Sequence, residues 1–202
     1  MKKSISFGLS NLPAFLLVMV SLASNQSLTA QVTNEKLSYK QGSSKQKIVV
    51  YKAGQREEQP YDYGKGRFLL GEVDTQGAWS LIEITEEPGY KTPLHRHNSW
   101  DESFYILAGT LTVKLADSIY TLPTGSFMFI PRGTAHGQAN FGSVSVKLLM
   151  TITPSGFERH MRDRMELFKT VKPGSPQFSK GMDYLRKKNA QYIELLGTWD
   201  KP

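Results

Sequence analysis

The stretch GYKTPLHRHNSWDESFYILAG, residues 89–109, and the stretch GSFMFIPRGTAHGQAN, residues 125–140, decide how this chain is read. In the first, Gly89 is followed after five residues by His95-Arg96-His97, after four more by Glu102, and after six more by Gly109. In the second, Gly125 is followed after five residues by Pro131-Arg132-Gly133, after two by His136 and after three by Asn140. Residues two apart on a strand project from the same face, so His95 and His97 aim together into an interior. The polar turn Asn98, Ser99, Asp101 reverses the chain and brings Glu102 beside them. Pro131 and Gly133 make the tight turn that introduces His136 from a later strand. Gly89, Gly109, Gly125 and Gly133 fall at strand ends that call for positive φ and carry no chemistry. Three imidazoles and a carboxylate suit one divalent transition metal: Fe, Mn, Ni, Co, Cu or Zn. In a six-coordinate ion they leave two positions open, which is a catalytic arrangement rather than a closed structural one. Three unrelated interior histidines would leave the shared spacing unexplained.

Around these stretches, short apolar runs alternate with Gly, Pro, Asp and Asn, the rhythm of an all-β barrel or sandwich. The expected strands are 47–51, 67–71, 78–85, 94–97, 102–107, 110–115, 118–121, 126–130, 134–140 and 143–152. Ile82 and Ile84 alternate with Trp79, Leu81, Glu83 and Thr85, and Leu111, Val113 and Leu115 alternate with Thr112 and Lys114. After Pro154-Ser155-Gly156 a helix capped by Ser155 is expected through Phe157, Met161, Met165 and Phe168. Pro173 and Pro176 mark a linker. A second amphipathic helix is expected with Phe178, Met182, Leu185, Ile193 and Leu196 on one stripe, packing on the barrel or on a second subunit.

The chain of 202 residues fits one domain of ordinary size, with residues 47–153 as barrel and 154–202 as a carboxy-terminal helical segment. Residues 1–30 read as a signal peptide: Lys2 and Lys3 precede the apolar run Ala14 to Ala23, which falls short of the ~20 residues needed to span a bilayer. Cleavage is expected after Ala30 in preference to Ala23. An exported, periplasmic or secreted protein follows, with no membrane contact once the signal is removed. Residues 31–46 read as a flexible polar lead-in. With no cysteine, neither a disulfide nor a lipid-modified cysteine arises. The net charge is +7, and scattered basic residues argue against nucleic acid as a partner. His160, outside both stretches, is expected at the surface. Counting by twos from Glu102 reaches Phe104, and from His136 reaches Gln138, the leading polar candidate to orient a substrate or water. Trp100 is expected either to line the pocket mouth or to cover the core.

The paired motifs resemble those of the cupin superfamily, at every defining position. Thr75-Gln76-Gly77, Pro93 to His97, the run at 152–158 and Ile193 to Gly197 extend the likeness to single-domain, quercetin 2,3-dioxygenase-like cupins. The resemblance implies a double-stranded β-helix, or jelly-roll barrel, in which His95, His97, Glu102 and His136 hold one metal ion. It further implies a metal-dependent dioxygenase acting on a small hydroxylated aromatic or enol compound, with Glu102 accepting the substrate hydroxyl proton. Lyase, isomerase or decarboxylase chemistry, and binding of a small molecule without turnover, are the competing readings. A homodimer through edge strands and terminal segments is compatible with such a barrel.

Overall fold

A computed structural model describes residues 48–198. The expected signal peptide and the whole of the lead-in lie outside the described residues. In chain order the elements are β1 Gln59–Pro60, β2 Gly64–Leu70, α1 Glu72–Thr75, β3 Ser80–Glu86, β4 Leu94–His97, β5 Asp101–Ala108 and β6 Thr110–Leu115. They continue with β7 Ser118–Pro123, β8 Phe127–Ile130, β9 His136–Ala139, β10 Val146–Thr153, α2 Phe157–Thr170, α3 Pro176–Asn189 and β11 Ile193–Gly197. The strands form two antiparallel sheets, one ordered β1-β2-β3-β10-β5-β8 and the other β11-β4-β9-β6-β7. This is the all-β jelly-roll architecture, with its core between the sheets.

Period-two patterning drives the pairing. Along β10, Val146, Leu148, Met150 and Ile152 are buried while the residues between them are half-exposed, and β3 buries Ile82 and Ile84 in the same way. Phe104 and Ile106 from β5 and Leu111 and Val113 from β6 complete the interior. Each such side chain contributes about 1.5–3 kcal/mol by leaving water. Positive φ occurs at Gly89, Gly109, Gly125 and Gly133. At Gly109 the requirement is also steric, since a Cβ would meet the Ser145 carbonyl at 2.7 Å.

Three expectations need correction. Ile48 to Tyr51 is not a strand: Ile48 and Val50 are exposed and pair with nothing among the described residues, and the first strand is β1. Ser155 does not cap α2; the N-cap is Gly156, whose N–H donates to the Glu158 carboxylate at 2.7 Å. The second helix does not reach Ile193. It starts at Pro176, where Ser175 Oγ accepts from Phe178 N, and it ends at Asn189, whose side-chain amide donates to the Leu185 carbonyl. Ile193 and Leu196 fit the helical spacing by coincidence. They belong to β11, which satisfies its backbone groups against β4.

α2 lays Phe157, Met161 and Met165 on the barrel, four residues apart and all buried. α3 packs on α2 through Phe168 and Phe178, whose rings are 4.8 Å apart and nearly perpendicular. Glu158 ties this segment to the barrel: its carboxylate accepts from Ser80 Oγ at 2.6 Å and from the backbone N–H of Glu72 at 2.7 Å.

Candidate metal centre and the cavity above it

β4 carries His95 and His97, and β9 sets His136 directly opposite His95. The three rings lie 4.3 to 5.1 Å apart, and one ligating nitrogen from each falls within 4.8 Å of the others. Two motif segments are held together at this point. Gly133 N–H donates to the His97 carbonyl at 2.7 Å, and Asp101 accepts from the backbone and guanidinium of Arg132.

The imidazoles are held in two ways. His95 and His136 both place Nδ1 2.9 Å from the carbonyl two residues earlier, at Pro93 and Thr134. Those carbonyls accept from Nδ1, which turns Nε2 of His95 toward the triad and Nε2 of His136 toward Glu102, a usual way of orienting an imidazole for a metal. His97 is buried and neither of its ring nitrogens has a partner. An orphaned imidazole is costly unless something outside the chain completes it. Burial holds His95 down to about 3 and His97 down to about 4, so both are neutral donors at pH 7.

Glu102 comes from β5, in the opposite sheet. Its Oε2 lies 2.9 Å from His136 Nε2 and 3.9 Å from His97 Nδ1. Burial opposes ionisation, but the His136 hydrogen bond and the nearby imidazoles outweigh it and hold the carboxyl well below its ordinary range. The same contact raises His136 against the effect of its own burial. Two ligands about 2.1 Å from a shared ion at right angles stand about 3 Å apart, so the Glu102–His136 spacing is that of neighbouring ligands. The three histidine nitrogens therefore converge as a divalent ion requires, and the Glu102 carboxylate stands against His136 beside them.

The remaining expected site residues are placed less directly. Phe104 is fully buried in the core. Trp100 is buried and edge-on to His97 at 6.0 Å, so it covers the core rather than lining the cavity. Gln138 does not face the cavity: its amide donates to the buried Glu86 carboxyl, and its backbone pairs with Thr92. It holds the barrel together beside the triad.

A cavity of about 440 Å³ opens onto His95 and His97. Its far wall is made by α2, α3 and β11, through Phe157, His160, Arg164, Met182 and Ile193. Phe157 stacks 4.9 Å from His97 and 5.6 Å from His160, so His160 stands one ring removed from the triad. The expectation of a surface His160 is thus corrected: it is half-buried and faces the cavity, and burial followed by the charge of Arg164 holds it down to about 3. Phe157, His160 and Arg164 are spaced three and four apart on one helix face, the one signal in the sequence that could have joined them.

Residues 82–152 match the family described as Cupin domain. The uncharacterized protein MJ1618 of Methanocaldococcus jannaschii is 35% identical over 75 residues, covering 37% of this chain and 60% of the relative. The alginate biosynthesis protein AlgA of Pseudomonas aeruginosa is 27% identical over 77 residues, covering 38% of this chain and 16% of the relative. The chain thus spans less than two thirds of either relative. Among solved structures, KdgF from Halomonas sp. superposes with a TM-score of 0.50 at 14% identity, covering 55% of this chain and 99% of that one, a likeness of fold alone. The family match ends at Ile152, before the wall of the cavity begins.

Proposed function

Because residues 82–152 form a cupin domain, we propose that this protein is a metal-dependent dioxygenase acting on a small hydroxylated aromatic or enol compound. The carrying observation is the convergent triad, with His97 unpartnered on both nitrogens, at the floor of a cavity sized for a small molecule. A bound divalent ion supplies Lewis acidity, which favours the ionised form of an enolic or phenolic oxygen. The chain supplies the rest. The Pro93 and Thr134 carbonyls fix the imidazole tautomers. Glu102, ionised at neutral pH, takes the hydroxyl proton of the substrate. Phe157 packs on His97 and keeps water from that side of the triad.

The test is the metal content of the protein recovered from its native compartment, followed by oxygen uptake with phenolic and enolic compounds. Near-stoichiometric Fe, Mn, Ni, Co or Cu with metal-dependent oxygen uptake supports the dioxygenase. Zinc alone, with turnover under strict anaerobiosis, replaces it by a lyase, isomerase or decarboxylase. The amino-terminal pattern of Lys2, Lys3 and the apolar run supports the periplasm or the medium as the compartment to examine first.

A further inference from the structure

The charge lining the cavity is lopsided. Lys91, Arg164, Arg186 and Lys187 bring positive charge, against Asp62 and Glu194. Both carboxylates are already engaged. Asp62 accepts through both oxygens from Arg164 Nη2, and Glu194 pairs at 3.0 Å with Arg96, which lies outside the lining. Arg186 is paired with Asp183 at the rim. The lining thus keeps a positive excess, with Arg164 and Arg186 themselves paired to Asp62 and Asp183. Two covered nitrogens there lack partners: Arg164 Nε and His160 Nδ1 have no hydrogen bond. They project from α2 one turn apart, across Phe157 from the triad, while Met182 and Ile193 give the same wall an apolar side.

We propose that this wall is an anion-binding subsite, taking the carboxylate of a small hydroxylated aromatic or enol acid on Arg164 and His160 while the hydroxyl end of the same molecule reaches the triad. With Nη2 given to Asp62, the Nε side of the Arg164 guanidinium remains to donate to a second carboxylate, and with His160 Nδ1 protonated both partnerless nitrogens are satisfied when that group arrives. The cavity's apolar flank accommodates the ring or carbon chain between the two ends. The residues that select the substrate then lie outside residues 82–152, in the segment that follows them. For the hydroxyl end the assignment rests on the metal-enzyme reading above. For the carboxylate end it does not, because neither Arg164 nor His160 is a ligand.

The test compares probes matched in shape. Calorimetric titration of the metal-loaded full chain with 2,3-dihydroxybenzoate and with catechol should show the acid binding more tightly by about tenfold or more. In Arg164→Lys, which keeps the charge opposite Asp62 and loses the Nε donor, that ratio should drop severalfold. His160→Leu, which replaces a partnerless half-buried group and should fold normally, should lower it as well. Equal binding of the two probes to the wild type, or a ratio untouched in His160→Leu and Arg164→Lys, would overturn the subsite. A parallel titration of the chelator-treated protein with benzoate and benzyl alcohol separates the two readings. A preference for benzoate that persists there upholds the subsite even if no metal-dependent turnover is found, and its absence counts against the subsite while leaving the metal centre standing.

Discussion

Under the cavity, backbone pairing of β4 with β9 sets His95 opposite His136 across one register position, while Glu102 of β5 approaches from the other sheet. The opposite wall comes from α2 and α3, which reach the same space through side-chain packing and the Glu158 clasp, and from β11, which pairs with β4. A floor built on paired strands fixes donor atoms closely, as a metal requires. A wall built on packed helices changes side chains without disturbing that register. On the proposed reading, chemistry sits in the floor and selection in the wall, a separation that lets one barrel serve many substrates.

The largest effect should come from breaking the floor. His97→Phe keeps an aromatic ring against Phe157 and removes both nitrogens, so metal affinity should fall by more than about 100-fold, beyond the loss typical of an outer-shell change. Thermal melting of the metal-free variant should stay close to that of the metal-free wild type, because the ring it loses had no hydrogen bond. Met182→Ala, in the wall, should leave metal content unchanged. If elemental analysis shows Met182→Ala shedding metal as His97→Phe does, floor and wall are not separable.

The two regions should also respond to pH with opposite sign. Glu158, in the wall, is opposed by burial but held below its ordinary value by the Ser80 hydroxyl and by backbone N–H groups. Its folded pKa is depressed, so its stabilisation is present above the unfolded carboxylate value near 4.5 and disappears as pH falls through the folded one. Glu86, in the barrel, is pushed up to about 8 by burial. Its contribution is present below 4.5 and is lost as pH rises toward 8. Urea midpoints from pH 3 to 9 should therefore lose part of their acid-side slope in Glu158→Gln and part of their alkaline-side slope in Glu86→Gln. At pH 7, Glu158→Gln should cost about 2–3 kcal/mol, since buried donors lose a charged acceptor. Identical profiles for both variants and the wild type would show that neither carboxyl titrates with folding.

The same division explains what could be read before any coordinates. The convergence of His95, His97 and His136 was legible because strand period and tight turns act over a few residues, and the glycines of both stretches mark where φ must be positive. The cavity wall was not. His160 reads as a surface residue until α2 is docked by Phe157, Met161 and Met165, and docking is a tertiary event. Ile193 and Leu196 satisfied a helical stripe, yet helix α3 had already stopped at Asn189, and the open edge of β4 supplied what the stripe could not. Gln138 illustrates a finer limit. Alternation gave its face correctly as interior, but only the position of Glu86 shows that its amide is spent on the barrel.

The smallest effect concerns how β11 is held where wall meets floor. Ile193, Glu194 and Leu195 pair through the backbone with His97, Arg96 and His95. Beside that ladder, Arg96 and Glu194 form a half-exposed ion pair at 3.0 Å. Such a pair contributes less than about 1 kcal/mol, and salt screens it. Arg96→Gln should therefore leave metal content unchanged and speed hydrogen exchange at the β11 amides only slightly, with the difference vanishing in high salt. If instead those amides lose protection wholesale, charge rather than backbone pairing fastens the last strand, and the wall could be released from the floor by ionic strength alone.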